Sequence, residues 1–464
     1  MQSPGCNLMF AACLLAACAG CSGSGAQGPE QVVLLVSGDT AGWIVPCGCT
    51  SNQSGGLLRR GSFVRRERQR AGAILVDVGG AAGGASAYDR AKFEAILQGE
   101  LEMGMTAHNL GAGEARLGAD YLREIGRRLK APFVSCNLRD AEGRLVADAL
   151  RIVNVGSRRI ALVGAISESF AGSGIAIDPP REAVLRTIES SAGAYDSLVV
   201  LAYMAGDELH ELARSLPEAD IVVGGPTGQA IAPQRLGPTL VAAATNKGKF
   251  LARFAAPLRA AESRTAPLAW QGAIVEMNDD WSDDERQQRN LEEFYAVLAK
   301  RDFTAADTEF AATLASGLPA EFRIAGSESC RACHAGDCKL WRDSAHARAW
   351  QSLAAQGAHV DSYCQQCHTT GYGLPGGFES AATSAARTSV GCESCHGASQ
   401  AHVDEPATHT AYFRRAASRC ETCHDRDNSP QFDADSYWAR IRHGEDPAAA
   451  TRDARSDSTT EVAR

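Results

Sequence analysis

A chain of 464 residues, 45% of them hydrophobic, is long enough for two or three domains and too apolar to be disordered throughout. Its net charge of -9 is spread along the chain without a basic stripe, which excludes nucleic acid as the expected partner. The sixteen cysteines fall unevenly, four of them before Gly25, then Cys47, Cys49, Cys136 and Cys338, and eight in C-x-x-C-H strings, so they serve several separate purposes.

Residues 1–24 hold the apolar run MFAACLLAACAGCSG, too short to span a bilayer and ending in small residues as a secretory cleavage region does. We read it as an export signal, although the MQSPGCN ahead of it has no Lys or Arg. Within it, LAAC resembles the lipobox of bacterial lipoproteins, which makes Cys18 the lipidation candidate and implies attachment to the membrane through a lipid anchor. A plain cleaved signal is the alternative. No later stretch is apolar enough to cross a membrane, so the mature chain is expected in an extracytoplasmic, periplasmic space.

From residue 31 to 257, short apolar runs (QVVLLVS, AILVD, APFVSC, RIALVGA, SLVVLAY, ADIVVGG, TLVAAAT) alternate with helical stretches such as LLRRGSFVRRERQR and YDRAKFEAILQGELEMG. That alternation predicts an α/β domain. Residues 258–325 read as a linker with a helix over 282–302, opened by the capping box Ser282-Asp283-Asp284-Glu285 and burying Leu291, Phe294, Val297 and Leu298. From 326 to 446 the composition turns to Ser, Ala, Gly, Cys and His. Such a segment cannot build a core from its own side chains, so something else must fill it. Residues 447–464 are expected to be a disordered tail.

Four strings supply the filler. Cys330 and Cys333 precede His334, Cys364 and Cys367 precede His368, Cys392 and Cys395 precede His396, and Cys420 and Cys423 precede His424. In C-x-x-C-H the two thiols form thioethers to the haem vinyl groups and the next residue reaches the iron, so four c-type haems are expected. Structural zinc and disulfides are the alternatives, but zinc would not require a histidine after every second cysteine. Two histidines, His108 and His210, lie in the first three hundred residues and nine between His334 and His443. That surplus makes His346, His359, His402, His409 and His443 candidates for the sixth iron position.

The run CRACH, WRDSAHARAW, CQQCHTTGYG, VGCESCHGASQAHV, CETCH and a trailing RHG resembles the tetrahaem cytochrome c-554 family of electron carriers. The resemblance implies a mainly α, haem-packed domain over 326–446, with His346, His402 and His443 as distal ligands ahead of His359 and His409. It also implies that one haem lacks a strong sixth ligand.

Upstream, VVLLVSGDTAGW, SGGLLRRGSFVRRER, AILVDVGG, GAGEARLGADYL, VSCNL, LVVLAYMAG and IVVGGPTGQ are similar in order to the metallophosphoesterase domain of periplasmic 5'-nucleotidases. This implies a β-sandwich flanked by helices, in which Asp, His and Asn at strand ends hold two metals. Here Asp39 is kept, but Ala41, Gly80, Ala112, Gly113, Tyr203, Pro226 and Gly228 stand where the other ligands belong. A single carboxylate cannot hold two divalent ions, so the scaffold is expected without its metal site. Cys47 and Cys49, in PCGC after the first strand, read either as a redox pair or soft-metal site or as a structural disulfide partner of Cys136 or Cys338. The function read from these residues is electron transfer between exported redox partner proteins. The alternatives are a multihaem redox enzyme acting on a small nitrogen or sulfur compound and a residual phosphoester hydrolase.

Overall fold

The computed structural model describes residues 31–46, 54–172, 174–258, 267–310, 322–411, 416–426 and 428–443. The export segment with Cys18, the pair Cys47 and Cys49, and the tail after 446 lie outside them. Fourteen strands are found among the described residues: β1 (Gln31–Ser37), β2 (Ile74–Asp77), β3 (Met105–Asn109), β4 (Phe133–Val134), β5 (Leu138–Asp140), β6 (Leu150–Val155), β7 (Arg158–Ile166), β8 (Ile175–Ile177), β9 (Ser197–Tyr203), β10 (Ile221–Gly225), β11 (Ile231–Leu236), β12 (Thr239–Ala243), β13 (Phe250–Pro257) and β14 (Gln271–Glu276). They build two six-stranded sheets, ordered β14-β13-β1-β2-β3-β4 and β11-β12-β10-β9-β7-β6, and a small β5–β8 pair.

The two sheets face each other, which is why the central strands read as unbroken apolar runs. Val32, Leu34 and Val36 of β1 meet Leu162, Leu201 and Val223 of the opposite sheet, with Phe254 and Trp270 between them. Val33 and Leu35 point the other way, under helices α1 (Gly56–Ala71) and α2 (Ala87–Glu102). The outer face of the second sheet is covered through Ala183, Val184, Leu209 and Leu212 of two further helices, Pro180–Ser190 and Gly206–Ser215. The result is the helix-flanked β-sandwich expected of the phosphoesterase resemblance.

The segment after Pro257 corrects the linker reading. β14 extends the first sheet by pairing antiparallel with β13. Helix α3 (Glu285–Arg301) lies along α2, with Asn290 Nδ2 donating to the Ala95 carbonyl at 2.9 Å and Gln287 Nε2 to the Gly99 carbonyl at 3.0 Å. A Cβ at position 99 would lie 2.5 Å from Gln287 Oε1, so the glycine permits this approach. The cap is Asp284 rather than Ser282, its carboxylate taking the amides of Arg286 and Gln287, because a start at Glu285 places Leu291, Phe294 and Leu298 in the core. Val297 falls on the outer face and is 43% exposed, contrary to the sequence expectation.

Residues 326–443 form short helices, among them α4 (Ser327–Cys330), α5 (Ala335–Asp343), α6 (Ala349–Ala354), α7 (Ser362–His368) and α8 (Cys392–His396). Their apolar clusters are small: Tyr372, Phe378 and Ala305 in one, Phe322, Ile324 and Ala398 in another. This agrees with a segment that cannot fill its own interior. It is anchored to the α/β domain by Tyr88, whose hydroxyl donates to Asp361 Oδ1, and by Trp43 and Phe310, whose rings meet Tyr363 at 5.7 and 5.9 Å.

Candidate functional site

The C-terminal ends of the strands of the first sheet form the mouth where phosphoesterases carry metals. Asp39, just after β1, accepts from Thr245 Oγ1 at 2.7 Å and from the Asn246 amide at 3.3 Å, and burial pushes its carboxyl up. Glu114 accepts the amides of Gly80, Ala81, Ala82 and Gly111 at 2.7–3.2 Å. Burial alone would raise its pKa, but His108 and these amides outweigh that and hold it below the usual range. The space between is filled by Tyr203. A Cβ at Gly80 would lie 2.4 Å from Tyr203 Cε2, and one at Gly111 2.8 Å from Cδ2. A Cβ at Gly113 would lie 2.1 Å from the Ala82 carbonyl oxygen. Positions 80 and 113 thus lack room for a side chain, whereas a Cβ at Gly228 would meet nothing within 4 Å.

Beneath the mouth lies a charged cluster that sequence reading missed. Asp77, Glu100 and His108 are completely buried and close enough to share an ion. Their carboxylates are already engaged: Asp77 accepts from Ser37 Oγ at 2.6 Å and the Gly79 amide at 2.7 Å, and Glu100 takes Arg60 at 3.2 Å and His108 Nδ1 at 3.0 Å, while His108 Nε2 stands 3.6 Å from Glu114. Burial and the Glu100 charge push Asp77 up to about 7. Arg60, equally buried, supplies the counter-charge, so the cluster is an internal ion network. Its one visible sign in the sequence is an Asp closing the apolar run AILVD.

The C-x-x-C-H strings occupy single helical turns. The His334 amide donates to the Cys330 carbonyl and the His424 amide to the Cys420 carbonyl, each at 2.9 Å, while the second and third strings lie on α7 and α8. One turn therefore presents two thiols and an imidazole together. Thiols of different strings lie close together: the neighbouring Cys330 thiol pulls Cys392 down to about 6, and the neighbouring Cys367 thiol pulls Cys423 down to about 7. Cys338 and Cys136 are buried and free, and burial pushes the Cys136 thiol up to about 12, which suits packing rather than chemistry.

Three string histidines each face a histidine from elsewhere. Ring centres are 6.3 Å apart for His334 and His402, 6.2 Å for His346 and His424, and 5.9 Å for His396 and His443. Two imidazole nitrogens each about 2 Å from a shared metal set their ring centres roughly 6 Å apart, so the spacing fits an iron between each pair. Tautomers agree. His402 Nδ1 bonds the His409 carbonyl at 2.7 Å, His443 Nδ1 the Ile441 carbonyl at 2.8 Å and His368 Nδ1 the Ala349 carbonyl at 2.9 Å. A carbonyl only accepts, so the proton is on Nδ1 and the lone pair on Nε2, the arrangement of metal-ligating histidines. Burial and neighbouring imidazoles push His346 and His396 below their ordinary values, which keeps them neutral and able to ligate. His359 is set edge-on to Trp350 at 5.7 Å, and His409 lies beside Glu405 at 3.9 Å while its carbonyl orients His402.

Residues 329–397 match the family of cytochrome c554 and c-prime. The match spans the first three strings. Cytochrome c-554 of Nitrosomonas europaea is 35% identical over 83 residues, covering 14% of this chain and 35% of that protein. Among solved structures, the 5'-nucleotidase precursor of Thermus thermophilus aligns with a TM-score of 0.50 at 19% identity, covering 59% of this chain and 60% of that one. The calcineurin-like phosphoesterase YfkN of Bacillus subtilis aligns with a TM-score of 0.50 at 14% identity, over 58% of this chain and 97% of that one. The chain therefore spans about a third of its cytochrome relative and three-fifths of the nucleotidase. The structural likenesses, both under 25% identical, establish the phosphoesterase fold alone. Among the described residues no helix is long and apolar enough to cross a membrane.

Proposed function

We propose that this chain is an exported multihaem c-type cytochrome that passes electrons between exported partner proteins through four covalently attached haems. Cys330, Cys333, Cys364, Cys367, Cys392, Cys395, Cys420 and Cys423 would hold the porphyrins, and His334, His368, His396 and His424 the irons. His402, His424 and His443 would each complete a bis-histidine pair with His334, His346 and His396. The observation that carries this reading is the three histidine pairs at 5.9–6.3 Å. When bound, haem supplies one-electron chemistry. The chain's own residues orient His402, His443 and His368 through Nδ1 bonds to backbone carbonyls, which leaves Nε2 of each free to ligate.

The α/β domain would serve as a scaffold without a dinuclear metal site, since Tyr203 lies where a ligand at position 80 would project. Attachment to the membrane through Cys18, and a redox role for Cys47 and Cys49, belong to the same proposal. The test is an intact mass and an EPR spectrum of the chain expressed with a c-type maturation system. Four haem increments and low-spin bis-histidine signals are expected; fewer increments, or bound zinc, would overturn it.

A further inference from the structure

The α/β domain grips one haem string in particular. Helix α7 carries Cys364, Cys367 and His368, and Asp361 caps it by accepting the Tyr363 amide at 2.9 Å. The same carboxylate is bound from the other domain. Tyr88, on α2, donates its hydroxyl to Asp361 Oδ1 at 2.5 Å, and Lys92, one turn later, donates to the Tyr88 hydroxyl at 2.8 Å and stands 3.8 Å from Asp361 Oδ2. The Lys92 ammonium also lies 4.9 Å from the centre of the Tyr363 ring, next in the chain to Cys364. All of this is enclosed: the Lys92 and Asp361 side chains are 11% and 7% exposed, and Tyr88 is 1% exposed. Burial and the Asp361 charge push the Tyr88 hydroxyl well above its ordinary value, so it stays a donor.

A charge held in a water-poor contact acts on a neighbouring redox centre far more strongly than one in solvent. Reduction adds an electron, so a fixed cation favours the reduced form and a fixed anion the oxidised form. Hydrogen bonds to the groups that hold the haem, and burial around it, are among the levers by which a protein tunes haem. We propose that the α/β domain sets the reduction potential of the haem at Cys364 and Cys367 through the Lys92, Tyr88 and Asp361 clamp on α7. These three are positioning residues; none ligates the iron. This gives the phosphoesterase-like domain a task in electron transfer that needs no metal site of its own, and it rests on the haem reading above.

The test is a spectroelectrochemical titration of the full-length holoprotein. Lys92→Met, which keeps the aliphatic stem, should move one couple to lower potential and leave the others in place. Lys92→Arg should return it, and Tyr88→Phe, which keeps the ring packing, should move the same couple. Couples that stay fixed in Lys92→Met, or that all shift together, would overturn the inference. A wild-type peptide mass without haem on Cys364 and Cys367 would instead overturn the haem reading itself, and the inference with it.

Discussion

Glu393 sits inside the third string, at a position the thioether chemistry does not use. It is 4% exposed, and its carboxylate takes three backbone amides: Ala325 and Ser399 on Oε1, each at 2.8 Å, and Gly326 on Oε2 at 2.6 Å. Two of these begin the segment and the third follows the string, so one side chain closes both ends around α8. In Glu393→Gln, Oε1 can keep two bonds, but an amide nitrogen then faces the Gly326 N–H, donor to donor. A bond to a charged group contributes about 1.5–3 kcal/mol and a neutral one about 1, and a buried orphan donor costs about 1–3 kcal/mol. One bond is lost outright, one donor is orphaned and two bonds are weakened, which places the expected destabilisation at about 4 kcal/mol or more. The assay is urea unfolding of the full holoprotein followed in the haem absorption band, with intact mass confirming unchanged haem content. A loss below about 1 kcal/mol would refute the claim that this carboxylate holds the segment closed.

Cys392→Ser or Cys395→Ser should reduce the haem count by one and lower the yield of folded protein, because the haem replaces a missing core; an unchanged count by intact mass would count against attachment there. The purified chain should hold no stoichiometric manganese or zinc by elemental analysis and leave nucleotides intact, and restoring a carboxylate with Gly80→Asp should not create metal binding while the Tyr203 ring is present. Either metal in Gly80→Asp at one equivalent would show that the ring can yield. Asp77 titrates near 7 when folded and near 3.8 when unfolded, so its contribution to stability is complete below the lower value and disappears as pH rises through the upper one. Urea midpoints at pH 5 and pH 8 should therefore fall with pH, and Asp77→Asn should flatten the difference; a variant with the wild-type slope would assign it to other groups.

The sandwich was legible because its central strands are buried on both faces, and two-sided burial leaves unbroken runs such as QVVLLVS and SLVVLAY. The end of the domain was not. QGAIVE is an exposed edge strand with no apolar run, recognisable only through its pairing with β13. The capping box misled because Ser282, Asp283 and Asp284 are all competent caps, and only the packing of Leu291 and Phe294 against α2 selects the last. The C-x-x-C-H strings are set by local spacing and so are visible in sequence. Which further histidine faces which string is set by tertiary folding: His334 and His402 are 68 positions apart, and His346 and His424 are 78 apart. Asp361 was invisible for the same reason, its partners being Tyr88 and Lys92 in another domain.

Gly80, Gly111 and Tyr203 at the mouth are linked by packing. Gly80 has a φ of +80 and Gly111 lies against the same tyrosine, so a side chain at either position needs Tyr203 to leave, and the tyrosine ring needs both glycines. A side chain restored at Gly80 alone is therefore opposed by the Tyr203 ring. The loops of the mouth also supply the contact with the C-terminal segment: Trp43 follows Asp39 by four residues and meets Tyr363, and Lys247, whose amide donates to the Asp39 carbonyl, sits 4.4 Å from the centre of the Trp43 ring. The end of the fold that holds metal in phosphoesterases is here packed with aromatic rings and lysines against the second string.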